Sequence, residues 1–433
     1  MYTLNKFTVL IVLIFFVVGC SNKKISYEQK IEAPISTNTL PFDSYAYKQD
    51  TSMVIATSKG TVIKIDPNTF TYANGANVYN QIQVKVREMH TANDILKSGI
   101  PMSVDGARNN FLQSGGMLEI RAFDNNEELK IADGKSIGIE LANFSPANGF
   151  SLYYLQGNEN WKVSDTFNLK KNERKSNALE KITNFLKKPF VKKSTLINDK
   201  YMIVANVKEV PHLKAFQNQH WKILDGTDPK IVEKCMRLSW DDVVVTPIKN
   251  KKNVYNLAFT RSIMVQGSGN DTISLNVQAT PSNTSDTTFT KQLDEYNMAI
   301  VRLNDEKIRL QAEADMVSSF QIRQLGVWNI DKIMSNEDLV NCSLKFDFEK
   351  NIDPLVNHIK LFVLYEEDKS VVYYLPQDWD KVRLSKTKRI SLVAVLPNNK
   401  VAFVDPKNVN AMVKQGSSNI FFNTVEQPAA SFK

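Results

Sequence analysis

The sequence predicts a mainly β protein, built of several antiparallel sandwich or meander units with two helical interruptions. Three observations predict it. Runs such as Thr61-Val62-Ile63-Lys64-Ile65 and Gln81-Ile82-Gln83-Val84-Lys85-Val86-Arg87 largely alternate polar and apolar residues, the period of a half-buried strand. Turn chemistry punctuates them, as in Asp66-Pro67-Asn68 and Ala73-Asn74-Gly75. Two longer segments carry helical spacing and no Pro or Gly, one near 174–187 and one from Phe289 to Met316. With 433 residues, 42% of them hydrophobic, the chain can build real cores, and a soft prior of ~100–200 residues per domain gives two to four domains.

Residues 1–19 read as a signal peptide. Lys6 precedes an apolar run from Phe7 to Val18, and small residues lead to Cys20 in Val17-Val18-Gly19-Cys20. A run this short suits a secretory signal, because a spanning helix needs roughly 20 apolar residues. The pattern resembles that of bacterial lipoproteins, which implies cleavage between Gly19 and Cys20 and a lipid, palmitate-type acyl chains included, on Cys20. Several acyl chains, each CH₂ worth about 0.8 kcal/mol when buried, hold a protein on a bilayer without a spanning segment. Residues 20–51 are the lipidated N-terminus and a polar stalk, rich in Ser, Asn, Lys, Thr and Pro. Ser21 stands where a retention aspartate would hold such a protein at the inner membrane, and Ser21-Asn22-Lys23-Lys24 lacks the acidic stretch of many surface-exported lipoproteins. The resemblance therefore points to the outer membrane, with its periplasmic face favoured.

Residues 52–165 form the first β-sandwich-like domain. Ala92 to Lys97 reads as a short helix stopped by Gly99 and Pro101, and Met117 to Ala122 turns through Asp124-Asn125-Asn126 into Glu128 to Ile131 as a hairpin. The segments Lys59-Gly60-Thr61 to Ala73-Asn74-Gly75, Asp94 to Pro101 and Ser114-Gly115-Gly116-Met117-Leu118-Glu119-Ile120-Arg121-Ala122 resemble a β-rich module of Bacteroidota envelope lipoproteins. The strand order is more distantly similar to ZU5-type β-sandwich domains, some of which cleave themselves at a His-Phe-Ser step. Here the string is Asn143-Phe144-Ser145, and without the imidazole the general base is missing, so a plain strand end is expected.

Residues 166–280 are a mixed domain with a helix near 174–187, where Leu179, Ile182, Phe185 and Leu186 make an apolar stripe, and strands from Tyr201, Val254 and Ile273. Residues 281–318 are a linker and the long helix, with Leu293, Tyr296, Ile300, Leu303, Ile308 and Leu310 on a partly regular face; fewer than four clean heptads favour packing within the chain. Residues 319–405 read as a C-terminal β-meander, opening on the run Phe320 to Trp328, and Gly326-Val327-Trp328-Asn329-Ile330-Asp331-Lys332 again resembles the same lipoproteins. Residues 406–433 are left as a tail.

Net charge is +8, but Lys and Arg are interspersed with Asp and Glu and no basic block interleaves with aromatics, so no nucleic acid is expected. Cys235 and Cys342 make either one disulfide or two buried thiols. The four histidines lack metal-ligand spacing, and no hydrolase elbow, phosphate loop or dinucleotide fingerprint occurs; no metal, cofactor or catalytic residue is assigned. The expected function is a non-enzymatic, membrane-anchored binding or scaffold component that meets another envelope protein. The alternative is a glycan-binding or glycan-hydrolysing lipoprotein, using acids beside tryptophans: Trp240 with Asp241 and Asp242, and Trp379 with Asp378 and Asp380.

Overall fold

The computed structural model describes residues 32–104, 110–145, 149–157, 160–185, 196–197, 200–203, 219–238, 240, 242–265, 269–282, 287–335, 337–347, 357–397, 400–404, 409–411, 413, 419–423 and 425–428. Among the described residues strands account for 47% and helices for 19%, so the structure is mainly β, in several antiparallel sheets.

Two sheets face each other across the first core. One runs, in spatial order, Asp43–Tyr47, Ile82–Met89, Leu112–Asp124, Gly326–Ile333, Ser151–Gln156 and Asn160–Val163; the short Glu127–Glu128 adds to Leu112–Asp124. The other runs Asn168–Lys171, Met316–Ile322, Ile137–Asn143, Val62–Ile65 and Met53–Ala56. Ile82, Val84 and Val86 from the first sheet and Ile63, Ile65, Ile137, Ile139 and Leu141 from the second are buried together, while Gln83 and Lys64 between them point to solvent. The period of two is thereby realised. Each such side chain contributes about 1.5–3 kcal/mol on burial, which is what joins the sheets.

Met316–Ile322, divided by sequence between the long-helix segment and the C-terminal meander, and Gly326–Ile333, grouped with that meander, belong instead to this sandwich. Phe320 pairs with Ile139, and Trp328 pairs with Leu118. Residues 173–311 are therefore an insertion between two strands that pair with each other, Asn168–Lys171 and Met316–Ile322. Alternation tells which face of a strand is buried but not which strand lies beside it, so this return was hidden.

The insertion holds α2 (Glu173–Phe185), α3 (Pro229–Arg237), α4 (Thr287–Gln311) and a six-stranded antiparallel sheet; α1 (Ala92–Ser98) precedes it. That sheet is dominated by the hairpin Tyr255–Val265 with Gly269–Pro281. Helices α2 and α4 pack on each other, with Ile182 and Leu310 buried. Leu186 of the predicted stripe lies outside the described residues. Where the two helices leave the sandwich, a clamp forms. Asn172 caps α2 by accepting the Lys175 amide at 3.0 Å and donates to the Ala314 carbonyl at 3.0 Å. Lys175 reaches the Glu313 carbonyl at 2.6 Å and Asp315 at 2.7 Å, and Arg174 and Arg309 both meet the buried Glu313 carboxylate.

The last body pairs a five-stranded antiparallel sheet (Ser370–Tyr374, Lys360–Tyr365, Ile390–Val395, Lys400–Val404, Val425–Pro428) with a three-stranded one (Val382–Ser385, Leu339–Asp347, Asn419–Asn423). Leu344, Leu361, Val363, Val382, Leu384 and Leu392 fill the space between them. Two strands thus lie inside the stretch expected to be a tail, and Asn419–Asn423 pairs parallel to Leu339–Asp347. Cys342 is a buried free thiol here, its pKa pushed up by burial; the Cys235 side chain lies outside the described residues.

A third apolar cluster joins the outer face of the seven-stranded sheet to the five-stranded sheet. Met89, Met117, Leu155 and Trp161 meet Phe362, Leu364, Val371 and Val401, with Ile95 and Leu96 of α1 among them. This explains why Leu112–Asp124 is buried on both faces. Helix α1 is held at both ends: Thr91 and Asp94 form a reciprocal capping box, and Gly99 closes the C-terminus at φ +76°. A Cβ at Gly99 would lie 2.4 Å from the Glu32 carbonyl oxygen, so only glycine fits. Ile35 is buried in the same cluster and Asp43–Tyr47 is a paired strand, so part of the expected stalk is body. Isolated apolar residues suffice when they dock on a core made by other segments.

Candidate functional site

The polar groups of the chain converge where the first sandwich meets the C-terminal body, around the glycine pair Gly115-Gly116. Gly116 (φ +149°) lets the Leu112–Asp124 strand pass close to Ala142, whose carbonyl oxygen would lie 3.0 Å from an added Cβ. The neighbouring Gly326–Ile333 strand shifts register between Ile330 and Asp331. A bulge of this kind re-aims side chains. Ser114 donates to Asn329 at 2.9 Å, and Asn329 in turn donates to Asp331. Asp331 is fully buried and its second oxygen has no partner among the described residues. Burial raises its pKa well above the usual carboxylate range.

Next to this row, Glu88 receives Thr61 and lies 3.1 Å from His90 Nε2. Burial pushes the Glu88 carboxyl up, but hydrogen bonds from His90, Thr57 and Thr61 outweigh it and leave the pKa lowered. The other ring nitrogen, His90 Nδ1, is buried without a partner among the described residues. The His90 ring meets Phe144 edge-on, 5.1 Å between centroids.

Phe144 is followed by Ser145, whose hydroxyl meets a lysine amine. Asn143, the last residue of its strand, donates to Ser318 at 3.0 Å and accepts the Ser145 amide at 2.7 Å, which fixes the turn out of the sheet. Lys369 then lies with Nζ 2.7 Å from Ser145 Oγ and 5.9 Å from the Phe144 ring centre. Lys369 ends the turn between Lys360–Tyr365 and Ser370–Tyr374 at φ +48°, a left-handed conformation that costs a non-glycine residue on the order of 1–3 kcal/mol. Its neighbour Asp368 is committed elsewhere, both oxygens bonding Lys388 at 2.9 and 2.8 Å. Lys369 itself makes no ion pair among the described residues, and desolvation lowers its pKa.

A separate cleft of about 430 Å³ is lined among others by Asn143, Phe150, Val163, Asp165, Phe167 and Leu169, and by neither Ser145 nor Lys369. It opens between the edge strands Asn160–Val163 and Asn168–Lys171, where Val163 and Leu169 are exposed.

Those of the residues chosen from sequence that are described, Trp240, Asp378, Trp379 and Asp380, lie apart from this seam. Gly19, Cys20 and Asp241 are outside the described residues, as is the side chain of Asp242. Trp240 is 2% exposed and packs on Phe259 in the insertion, which leaves no ring face for a sugar. Trp379, with Asp378 and the exposed Asp380, sits on the turn Pro376–Lys381 of the C-terminal body, where its ring packs edge-on against Phe346 at 5.0 Å. Sequence reasoning missed Lys369 because it is 224 residues from Ser145 and nothing in its local pattern distinguishes it from other turn lysines. Asn143-Phe144-Ser145 lies at a strand end as expected, and the Lys369 amine, from another body, donates to Ser145 Oγ there. Among the described residues no three His, Cys, Asp or Glu side chains converge as a metal site, and no helix is long and apolar enough to cross a membrane. No family model, curated protein or solved structure matches this chain.

Proposed function

We propose that this chain is a lipid-anchored component of a bacterial outer membrane, tethered through Cys20 on the periplasmic side, which binds or organises another envelope protein. The observation that carries the reading is Val17-Val18-Gly19-Cys20 after a short apolar run. The distance from anchor to body agrees with it. Cys20 and Glu32 are twelve positions apart, so at most about 40 Å of chain separates the lipid from the first described residue. The first sandwich and the C-terminal body share an apolar cluster, a frame of the kind that presents edges and clefts to a partner. The cleft beside Val163 and Leu169 is the surface we assign to that partner, because it places exposed apolar side chains between two open strand edges.

Photocrosslinking from position 163 in intact cells, with wild-type Cys20 and with Cys20→Ser, tests the reading. A single crosslinked envelope protein, lost together with outer-membrane fractionation in Cys20→Ser, is the expected result. Unchanged fractionation of Cys20→Ser, or no specific crosslink in the wild type, would overturn it.

A further inference from the structure

We propose that the partner assigned to the cleft beside Val163 and Leu169 enters it as an extended strand of alternating apolar and acidic residues, which pairs with the free edge of Asn168–Lys171. This rests on the reading of that cleft as a partner surface, and adds the mode of binding and the chemistry of the bound segment.

The backbone comes first. Asn168–Lys171 is the end of its sheet, with Met316–Ile322 on one side and no described strand on the other. The Asn172 amide donates to the Asp315 carbonyl at 2.8 Å, so by the alternation of an antiparallel ladder Lys170 and Asn168 also turn their backbone groups towards Met316–Ile322. The amides and carbonyls of Leu169 and Lys171 then point outward. All four residues of the strand are exposed, so this edge is open to pairing with another chain.

The two faces of an added strand would meet different surroundings. Leu169 stands opposite Ser318, on the same face as the core residue Phe320, and this is the side of the cleft, where Phe150, Val163 and Phe167 offer apolar surface. One row of the added side chains is therefore apolar. The other row lies beside Lys170, on the outer face of the sheet. Lys170 and Lys64 share a single carboxylate, Glu140, at 3.1 and 2.8 Å, and Lys171 adds another exposed cation at the edge. The acid that lines the cleft itself is Asp165. Lysines thus exceed carboxylates along this edge, which favours acidic residues in the second row.

The full-length chain in phosphatidylcholine nanodiscs is titrated into a fluorescein-labelled octapeptide of alternating Glu and Val, with binding read by anisotropy. Expected are saturable binding, a loss of about tenfold or more when Lys replaces Glu in the peptide, and a loss of about tenfold in Lys171→Glu. Backbone methylation separates a ladder from simple adhesion: N-methyl groups on one alternate set of peptide amides should abolish binding, and on the other set should leave it within about threefold. No binding, equal affinity for the Lys peptide, undiminished binding to Lys171→Glu, or an equal loss from both methylated sets would overturn strand addition. A crosslink from position 163 in cells alongside any of these results keeps the partner surface and removes only the strand; loss of that crosslink removes the surface itself.

Discussion

Replacing Asn172 by Ala opens the clamp that holds the insertion, and its cost follows from two hydrogen bonds. The side-chain oxygen caps α2 through the Lys175 amide, and losing such a cap costs about 1 kcal/mol. The side-chain nitrogen serves the Ala314 carbonyl, and breaking this buried bond adds about 1–1.5 kcal/mol. Asn172 is itself 3% exposed, so water does not readily replace either partner. Asn172→Ala therefore lowers the local opening free energy by about 2–3 kcal/mol, and Asn172→Ser, which keeps a capping oxygen, by about 1 kcal/mol. Hydrogen exchange of the Lys175 and Ser176 amides reads this directly. Exchange should accelerate about 30- to 150-fold in the Ala variant. Amides of Ile82–Met89, in the sandwich, should keep their rates. Acceleration below about threefold, or a Ser variant as damaged as the Ala variant, would refute the assignment of the clamp.

Gly99→Ala should destabilise the protein by more than about 2 kcal/mol in urea titration, because φ +76° disfavours a side chain and the new Cβ overlaps the Glu32 carbonyl; a loss under about 0.5 kcal/mol would contradict this. Asp331→Asn should raise the melting temperature at neutral pH. The folded pKa of Asp331 is raised, so the buried carboxyl penalises folding only above its unfolded pKa of about 3.9, increasingly as pH rises towards the folded value. The gain should therefore be absent at pH 3 and grow from about pH 4 upward, and a gain equal at all pH values would be inconsistent with it. Cys342, 2% exposed with its thiol pushed up by burial, should resist iodoacetamide in the folded protein and react once denatured; rapid native alkylation would show a more open C-terminal core.

Local chemistry was legible in the sequence where neighbours in the chain decide the outcome. The alternation Ile82, Val84, Val86 became one buried face, the short helix from Ala92 formed as α1, Gly99 stopped it, and the turn through Asn125 formed with φ +54°. Partnership was not legible. Gly326–Ile333 carries the same strand pattern whether it opens a third body or completes the first, and only the covered faces of Leu118 and Trp328 decide. The strand at Asn419–Asn423 was missed for a similar reason, since five residues acquire meaning only beside Leu339–Asp347. Half of the hydroxyl–amine pair was visible as Asn143-Phe144-Ser145, while Lys369 came from a turn in another body. Tryptophan serves a core as readily as a sugar, and the sequence does not tell the two apart: Trp240 packs on Phe259 and Trp379 on Phe346.

The account rests on lipid at the amino terminus, and intact mass spectrometry of the protein extracted from membranes tests it most directly. The predicted species begins at Cys20 and carries a diacylglycerol thioether with an additional amide-linked acyl chain. A chain still beginning at Met1, or one beginning near Cys20 with an unmodified thiol, would contradict it.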